Sequence, residues 1–182
     1  SRRVDSNIVH IKEIIKNSIE KIDLLYQKKE NITGLPTGFY EFDTMTAGLQ
    51  ESDLIIIAGR PSMGKSAFAA CIAEHIGIAK KIPLAFFSLE MSKEQLVQRM
   101  LCSYARVNAH KVRTGFLSQS DWPHLTNAAG KLSEAPIFID DTPALSLLEL
   151  RAKARRFKSQ YGIKLIVVDY LQLMRGPQKI EN

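Results

Sequence analysis

The sequence is poor in the residues that build disulfide frameworks and metal centres. It has two cysteines, Cys71 and Cys102, and four histidines among 182 residues. Neither cysteine belongs to a CxxC pair, and neither has the spacing to a histidine that zinc sites show. Both fall within runs of helical periodicity, so we expect buried, reduced thiols in a cytoplasmic protein.

Long apolar runs are also missing. No run approaches the roughly 18 residues that a helix needs to span a bilayer, so we expect no membrane segment. The first residues, Ser1 to Asp5, contain neither the apolar core of a signal peptide nor an initiator methionine. From this start we expect the chain to be part of a larger protein.

The composition indicates one globular domain with an appendage. Hydrophobic residues make up 45% of the chain and charged residues 24%, which is typical of a protein with a substantial core. The net charge of +6 suits a partner rich in phosphate groups. Charge alone leaves nucleic-acid binding and simple solubility equally open.

The appendage is an amphipathic helix predicted over residues 4–29. Its apolar positions recur at helical steps of three, four or seven: Val4, Ile8, Ile11, Ile15, Ile22 and Leu25. Such a face needs a surface to cover it, either on its own domain or on a neighbouring subunit. The polar stretch 28–31 has the composition of a linker, which favours docking of the helix on a neighbouring subunit. We therefore divide the chain into a linker helix and connector, 1–32, and a domain, 33–182.

The domain alternates apolar strand candidates with helical patterns. Strands are predicted at residues 54–58, 84–89, 137–139 and 164–168, and helices at 65–78, 93–107, 121–132 and Leu147–Tyr161. Two helices begin with a capping box, formed by Ser92 with Gln95 and by Ser146 with Glu149. This alternation predicts an α/β fold, a mostly parallel sheet with helices on both faces.

A phosphate-binding loop follows the first predicted strand. The segment fits the pattern GxxxxGK[ST] and consists of Gly59, Arg60, Pro61, Ser62, Met63, Gly64, Lys65 and Ser66, with Ala67 next in the helix. Its backbone N–H groups and the helix N-terminus are suited to binding phosphate. Lys65 is expected to bridge the β- and γ-phosphates of ATP, and the Ser66 hydroxyl to ligate Mg²⁺.

Two carboxylates complete the predicted site. Asp169 directly follows the predicted apolar strand 164–168, the position of a Walker B residue that holds Mg²⁺. The next residue is Tyr170 rather than a glutamate, so the general base has to come from elsewhere. Glu90, at the end of strand 84–89, lies on the same sheet edge and is our candidate. Its alternative role is an acidic residue that stabilises the N-terminus of the next helix.

Four segments together resemble the DnaB-type bacterial replicative helicase family. They are Thr33–Gly38 (TGLPTG), Arg60–Ser66 (RPSMGKS), Phe87–Ser92 (FSLEMS) and Val168–Met174 (VDYLQLM), and the resemblance extends over essentially the whole chain. It implies a RecA-like P-loop NTPase fold, with residues 33–182 as a partial ATPase domain. The family pattern continues beyond Asn182, so the sheet is expected to be incomplete.

The resemblance also implies an activity and a set of partners. Members form a homo-hexameric ring around single-stranded DNA and hydrolyse ATP at subunit interfaces to unwind the replication fork. Primase and a helicase loader are implied as partners, and Arg99 occupies a place where the family has an arginine near the nucleotide. DNA-binding loops and an arginine finger would lie beyond Asn182, so we expect this chain alone to hydrolyse ATP weakly or not at all.

Two other functions remain open at this point. A RecA-type recombination ATPase, which forms filaments on DNA, would use the same Lys65, Ser66, Asp169 and Glu90. A non-catalytic docking fragment would act through the helix over residues 4–29. The segment Ser88–Ser92 and the leading helix favour the helicase over the RecA-type recombination ATPase.

Overall fold

The computed structural model describes residues 9–28 and 30–176. The helices are α1 (Ile11–Lys28), α2 (Tyr40–Thr46), α3 (Lys65–Glu74), α4 (Lys93–Ala105), α5 (Ala109–Thr114), α6 (Asp121–Ser133) and α7 (Leu147–Tyr161). The strands are β1 (Leu84–Ser88), β2 (Ile137–Asp140) and β3 (Leu165–Asp169). A π-helical segment, His75–Ala79, continues α3, and a short 3₁₀ helix, Leu171–Leu173, follows β3.

The three strands form a parallel sheet in the order β2-β1-β3. Leu84 of β1 lies opposite Ile137 of β2 and Leu165 of β3, and Ser88 lies opposite Asp169. The carboxyl ends of the strands therefore meet at one edge of the sheet. All three strands were predicted from the sequence to within one residue at each end, and the α/β fold with a parallel sheet is confirmed.

Helices cover both faces of the sheet, as predicted. Leu84 and Phe86 of β1 belong to one core cluster, together with residues of α3 and α4 such as Ile72 and Met100. The alternate residues Ala85 and Phe87 point to the other face and cluster with Leu145, Ile163 and residues of α7. All of β1 is buried because both of its faces and both of its edges are covered.

The fourth predicted strand, residues 54–58, is not a strand in the structure. No described segment forms a β-ladder with it, and the side chains of Leu54 and Ile56 are 83% and 69% exposed. A strand requires hydrogen-bonded neighbours, and an apolar run without one cannot bury its side chains on a pleated surface. The prediction of a strand at 54–58 was therefore wrong for this structure.

The leading helix α1 is exposed along its whole described length. Ile15, Ile19 and Ile22 on its apolar side are each more than half exposed. Val9 and His10 are not helical, although both fall within the predicted range, and residues 4–8 and 29 lie outside the described part of the chain. No helix among residues 9–28 and 30–176 is long and apolar enough to cross a membrane.

The capping boxes were predicted correctly, and the state of the cysteines was predicted in part. The hydroxyl of Ser92 accepts the Gln95 N–H at 3.3 Å, and the hydroxyl of Ser146 accepts the Glu149 N–H at 3.3 Å. Both cysteines are free, but only Cys102 is buried. Cys71 is partly exposed because it faces a small cleft between α3 and α4.

Helix α2 was not predicted, and a buried carboxylate holds it in place. Asp43 accepts the Thr37 N–H at 2.8 Å, the Thr37 hydroxyl at 2.7 Å and the Gly38 N–H at 3.1 Å. Gly38 has a φ of +89°, and a Cβ there would lie 2.6 Å from the His75 ring. The turn before α2 thus requires glycine and is fastened by Asp43.

We expect Asp43→Ala to lower the free energy of unfolding by about 2–4 kcal/mol, because it leaves buried donors without an acceptor. Burial raises the pKa of Asp43, but bonds from Thr37 and Gly38 outweigh it, and the pKa lies below its ordinary value of 3.8. The contribution of Asp43 is therefore present above pH 3.8 and is lost as pH falls through the folded-state pKa. Urea unfolding at pH 7 and pH 3 measures both effects. The exposed Glu41→Ala serves as the control, and an equal loss in that variant would contradict the assignment.

Candidate nucleotide-binding site

The loop between residue 59 and α3 has the backbone conformation of a phosphate cradle. Ser62 and Gly64 have φ values of +64° and +89°, and a turn joins the Met63 N–H to the Arg60 carbonyl at 3.2 Å. A Cβ on Gly59 would lie 3.4 Å from Cγ of Lys65, so the loop curls back over the start of α3. Successive N–H groups in such a conformation form a concavity for anions.

The N-terminus of α3 is open to an anion. Gly64 is its N-cap residue and supplies no side-chain hydrogen bond, and Phe68 N–H makes the first backbone bond of the helix, to the Gly64 carbonyl at 2.8 Å. The N–H groups of Lys65, Ser66 and Ala67 precede this bond and have no partner within the helix. Together with the helix dipole they fit a phosphate group.

Lys65 lies next to the end of β3. Its ammonium group is 5.0 Å from the ring centroid of Tyr170, the residue that follows Asp169. The side chain is half-buried and forms no salt bridge with any described residue. The structure thus brings the predicted phosphate-binding lysine to the residue that follows the predicted metal-binding aspartate, and no carboxylate among the described residues neutralises its positive charge.

Asp169 and Ser66 offer oxygen atoms that suit Mg²⁺. Asp169 is only 6% exposed, and within the described residues no side-chain donor or cation engages its carboxylate. The Ser66 hydroxyl likewise forms no hydrogen bond with a side chain in the described part of the chain. Mg²⁺ prefers oxygen ligands and commonly uses one or two protein groups together with phosphate and water. The donor set therefore fits Mg²⁺ beside a bound phosphate.

Glu90 lies at the same edge of the sheet as Asp169. The Leu89 N–H donates to the Asp169 carbonyl at 2.7 Å, which extends the pairing of β1 with β3 by one step. Glu90 comes next, with its side chain exposed and, among the described residues, without a hydrogen bond or ion pair. A free carboxylate beyond the strand end can approach a water molecule near bound phosphates.

Arg99 reaches the same region from α4. It lines a cleft of about 100 Å³ together with Ser66 and Ala67 of α3 and Met91, the neighbour of Glu90. The Arg99 side chain is exposed and, as far as the structure describes the chain, unpaired. The sequence placed Arg99 near the nucleotide only through the family resemblance, and in the structure Arg99 and Ser66 line the same cleft.

Glu74, at the far end of this cleft, was missed by the sequence analysis. It is 8% exposed, its Oε2 accepts a hydrogen bond from the Ser103 hydroxyl at 3.1 Å, and its Oε1 has no partner among the described residues. The only sequence signal is an acidic residue at the end of the apolar helix α3, in line with Ser66 and Ala70. Burial raises the pKa of Glu74 to about 7, and the Ser103 bond opposes this shift.

We expect Glu74 to make the protein less stable as pH rises. The folded-state pKa of about 7 lies above the ordinary value of 4.5, so the folded protein binds the proton more tightly than the unfolded chain. The stabilising contribution of Glu74 is therefore largest below pH 4.5, and it decreases as pH rises to about 7. Glu74→Gln should unfold at higher urea concentration than wild type at pH 8 and at nearly the same concentration at pH 5. A gain of equal size at both pH values, or the same gain in the exposed control Glu94→Gln, would contradict this.

The comparisons with known proteins agree with this geometry. A family model described as the DnaB-like helicase C terminal domain matches residues 34–182. The replicative DNA helicase DnaC of Bacillus subtilis (strain 168) is 49% identical over 175 residues, which cover 96% of this chain and 38% of that protein. The replicative DNA helicase DnaB of Geobacillus stearothermophilus is 50% identical over 167 residues, which cover 92% of this chain and 37% of that protein. The chain thus spans less than two fifths of the length of these relatives.

Solved structures give the same result. A solved ATPase domain superposes with a TM-score of 0.84 at 34% identity, covering 97% of this chain and 62% of that one. A DnaB-like replicative helicase, solved in a study of its interactions with primase, superposes with a TM-score of 0.82 at 31% identity. The match covers 98% of this chain and 43% of that one. The RecA-like fold expected from the sequence is confirmed, and likeness to an ATPase domain implies nucleotide binding. The chain belongs to the family of DnaB-like helicase C-terminal domains.

Proposed function

We propose that this chain is part of the ATP-hydrolysing motor of a replicative DNA helicase and carries its nucleotide-binding site. One observation carries the proposal: the open N-terminus of α3, Lys65, Asp169 and Glu90 meet at one edge of the parallel sheet. Each of these groups is left without a competing side-chain bond in the described residues. The similarity to replicative DNA helicases supports DNA as the polymer along which this motor moves.

Each residue has a defined task in the proposed reaction. The free N–H groups of the loop and those of Lys65, Ser66 and Ala67 hold the phosphates of ATP, and the Lys65 ammonium neutralises charge on the β- and γ-phosphates. Ser66 and Asp169 hold Mg²⁺, which supplies electrostatic stabilisation of the developing charge when bound. Glu90 accepts a proton from the attacking water, and Arg99 contacts the nucleotide from α4.

The proposal extends to the assembly. The exposed face of α1, within the linker segment 1–32, would dock on a neighbouring subunit of a homo-hexamer, and residues 33–182 would form the ATPase domain. Single-stranded DNA, primase and a helicase loader are the proposed partners, and the cytoplasm is the proposed location. Support for primase comes from the solved DnaB-like helicase, whose own interactions with primase were studied.

The test is Mg²⁺-dependent ATP hydrolysis by the full-length protein, with and without single-stranded DNA, together with unwinding of a forked duplex. Turnover that DNA stimulates, accompanied by strand separation, supports the helicase. If DNA stimulates turnover and filaments coat the strand, but no unwinding occurs, the protein is a recombination ATPase rather than a helicase. Turnover indifferent to DNA would point to a docking role, for which the exposed α1 is the observation in favour.

A further inference from the structure

Glu90 lies in the turn between β1 and α4, and hydrogen bonds hold the first part of this turn. The Ser88 hydroxyl, on a residue that is only 2% exposed, donates to the Met91 carbonyl at 2.7 Å. The Leu89 N–H donates to the Asp169 carbonyl at 2.7 Å. The first bond bridges Glu90 from Ser88 to Met91, and the second ties the residue before Glu90 to the end of β3, but neither reaches the start of α4.

The far end of the turn is held by a residue distant in sequence. Asp141, which follows β2, accepts the Lys93 N–H through its Oδ2 at 3.0 Å, and its Oδ1 lies 3.7 Å from Nζ of Lys93. Lys93 is the first residue of α4, so its N–H has no acceptor within the helix. The bond spans the sheet edge from β2 to the start of α4, and Glu90 lies three residues before that start.

Asp141 projects from a loop that is itself immobilised. Its neighbour Asp140 ends β2 opposite Phe87 of β1. Asp140 accepts the Thr142 N–H at 3.0 Å and the Lys153 ammonium at 2.6 Å, and Lys153 also donates to the Thr142 hydroxyl at 2.7 Å. Through Lys153, helix α7 holds both residues that flank Asp141. The Asp141 carboxylate therefore holds α4 from a fixed point.

Helix α4 does not need Asp141 in order to be capped. Its N-cap residue Ser92 forms a complete capping box with Gln95, which satisfies backbone donors at both ends of the first turn. The Lys93 N–H lowers the pKa of Asp141, so the carboxylate is ionised at neutral pH. The additional bond ties an already formed helix to the sheet edge.

We propose that Asp141 is a positioning residue for nucleotide hydrolysis, which fixes the start of α4 and thereby holds the turn that carries Glu90 at the sheet edge where β3 ends. The inference rests on the proposed function, in which Glu90 is the general base. Asp141 has no catalytic contact of its own and acts only through the turn. A shift of about 1 Å in a reacting group can lower a rate about 100-fold, so such a bond is sufficient to matter.

The test is steady-state ATP hydrolysis by full-length protein carrying Asp141→Ala, Asp141→Asn or the control Glu94→Ala. Asparagine keeps an oxygen that can accept the Lys93 N–H, whereas alanine does not. Glu94→Ala removes a carboxylate from the same first turn, where it makes no bond to the turn that carries Glu90. We expect Asp141→Ala to lower kcat about 10- to 100-fold with KM for ATP changed less than about twofold, and Asp141→Asn to recover most of the loss.

The same substitution is then made in a Glu90→Gln background. Because Asp141 acts through Glu90, Asp141→Ala should cause no further loss there. Equal kcat losses in the Asp141→Ala and Glu94→Ala variants, no rescue by asparagine, or a full additional loss in the Glu90→Gln background would each overturn the positioning role. If Glu90→Gln alone leaves turnover intact, the proposed base is wrong. If it abolishes turnover while Asp141→Ala has no effect, only the positioning role fails.

Discussion

Glu90→Gln is expected to lower DNA-stimulated ATP turnover by the full-length protein about 100- to 10,000-fold, the usual contribution of a general base. Glutamine has nearly the same shape as glutamate but cannot accept a proton from the attacking water. Since the Glu90 side chain has no partner among the described residues, its replacement removes no structural bond. Affinity for ATP should therefore persist, because the α3 N-terminus and Lys65 are unchanged.

Two measurements separate the effect on turnover from the effect on ATP affinity. Phosphate release gives kcat, and equilibrium binding of a fluorescent ATP analogue gives the affinity separately. The matched control is the variant Glu94→Gln. Glu94 is exposed on the first turn of α4, so this variant should hydrolyse ATP at the wild-type rate. Turnover in Glu90→Gln within a few-fold of wild type would remove Glu90 from the chemistry and leave it the lesser role of a charge at a helix N-terminus.

The sequence predicted the part of the fold that local patterns determine. β1, β2 and β3 are short apolar runs flanked by turn signals, and their sheet places Glu90 and Asp169 on one edge as parallel strands require. The capping boxes at Ser92 and Ser146 depend on side chains three residues apart, so sequence spacing alone identifies them. Capping boxes and short apolar strands are each defined by residues close together in sequence, so local patterns are sufficient to predict them.

The remainder depends on contacts between distant segments. Residues 54–58 have the composition of a strand, but a strand also needs a hydrogen-bonded neighbour, which composition does not reveal. Helix α2 depends on Asp43 accepting bonds from Thr37 and Gly38. Asp141 meets the start of α4 across 48 positions of sequence, and no local pattern identifies that contact.

Substituting aspartate for both Ile15 and Ile22 is expected to abolish self-association of the full-length protein while leaving ATP affinity intact. These side chains are 53% and 59% exposed on α1, so aspartate disrupts no packing within the described chain. Burial of each isoleucine on a neighbouring subunit would contribute about 1.5–3 kcal/mol, and loss of the pair would change association at least about 100-fold. Sedimentation velocity measures the assembly, and analogue binding measures the site.

A control with the same change in charge separates the apolar face from simple electrostatics. Asn17→Asp together with Lys16→Gln also lowers the charge of α1 by two, but away from the apolar face of the helix, and should leave the assembly unchanged. A variant with both isoleucines replaced that still assembles would show that α1 does not hold the subunits together. Loss of stability in the isoleucine variant without loss of assembly would instead place α1 on its own domain, the alternative that the sequence left open.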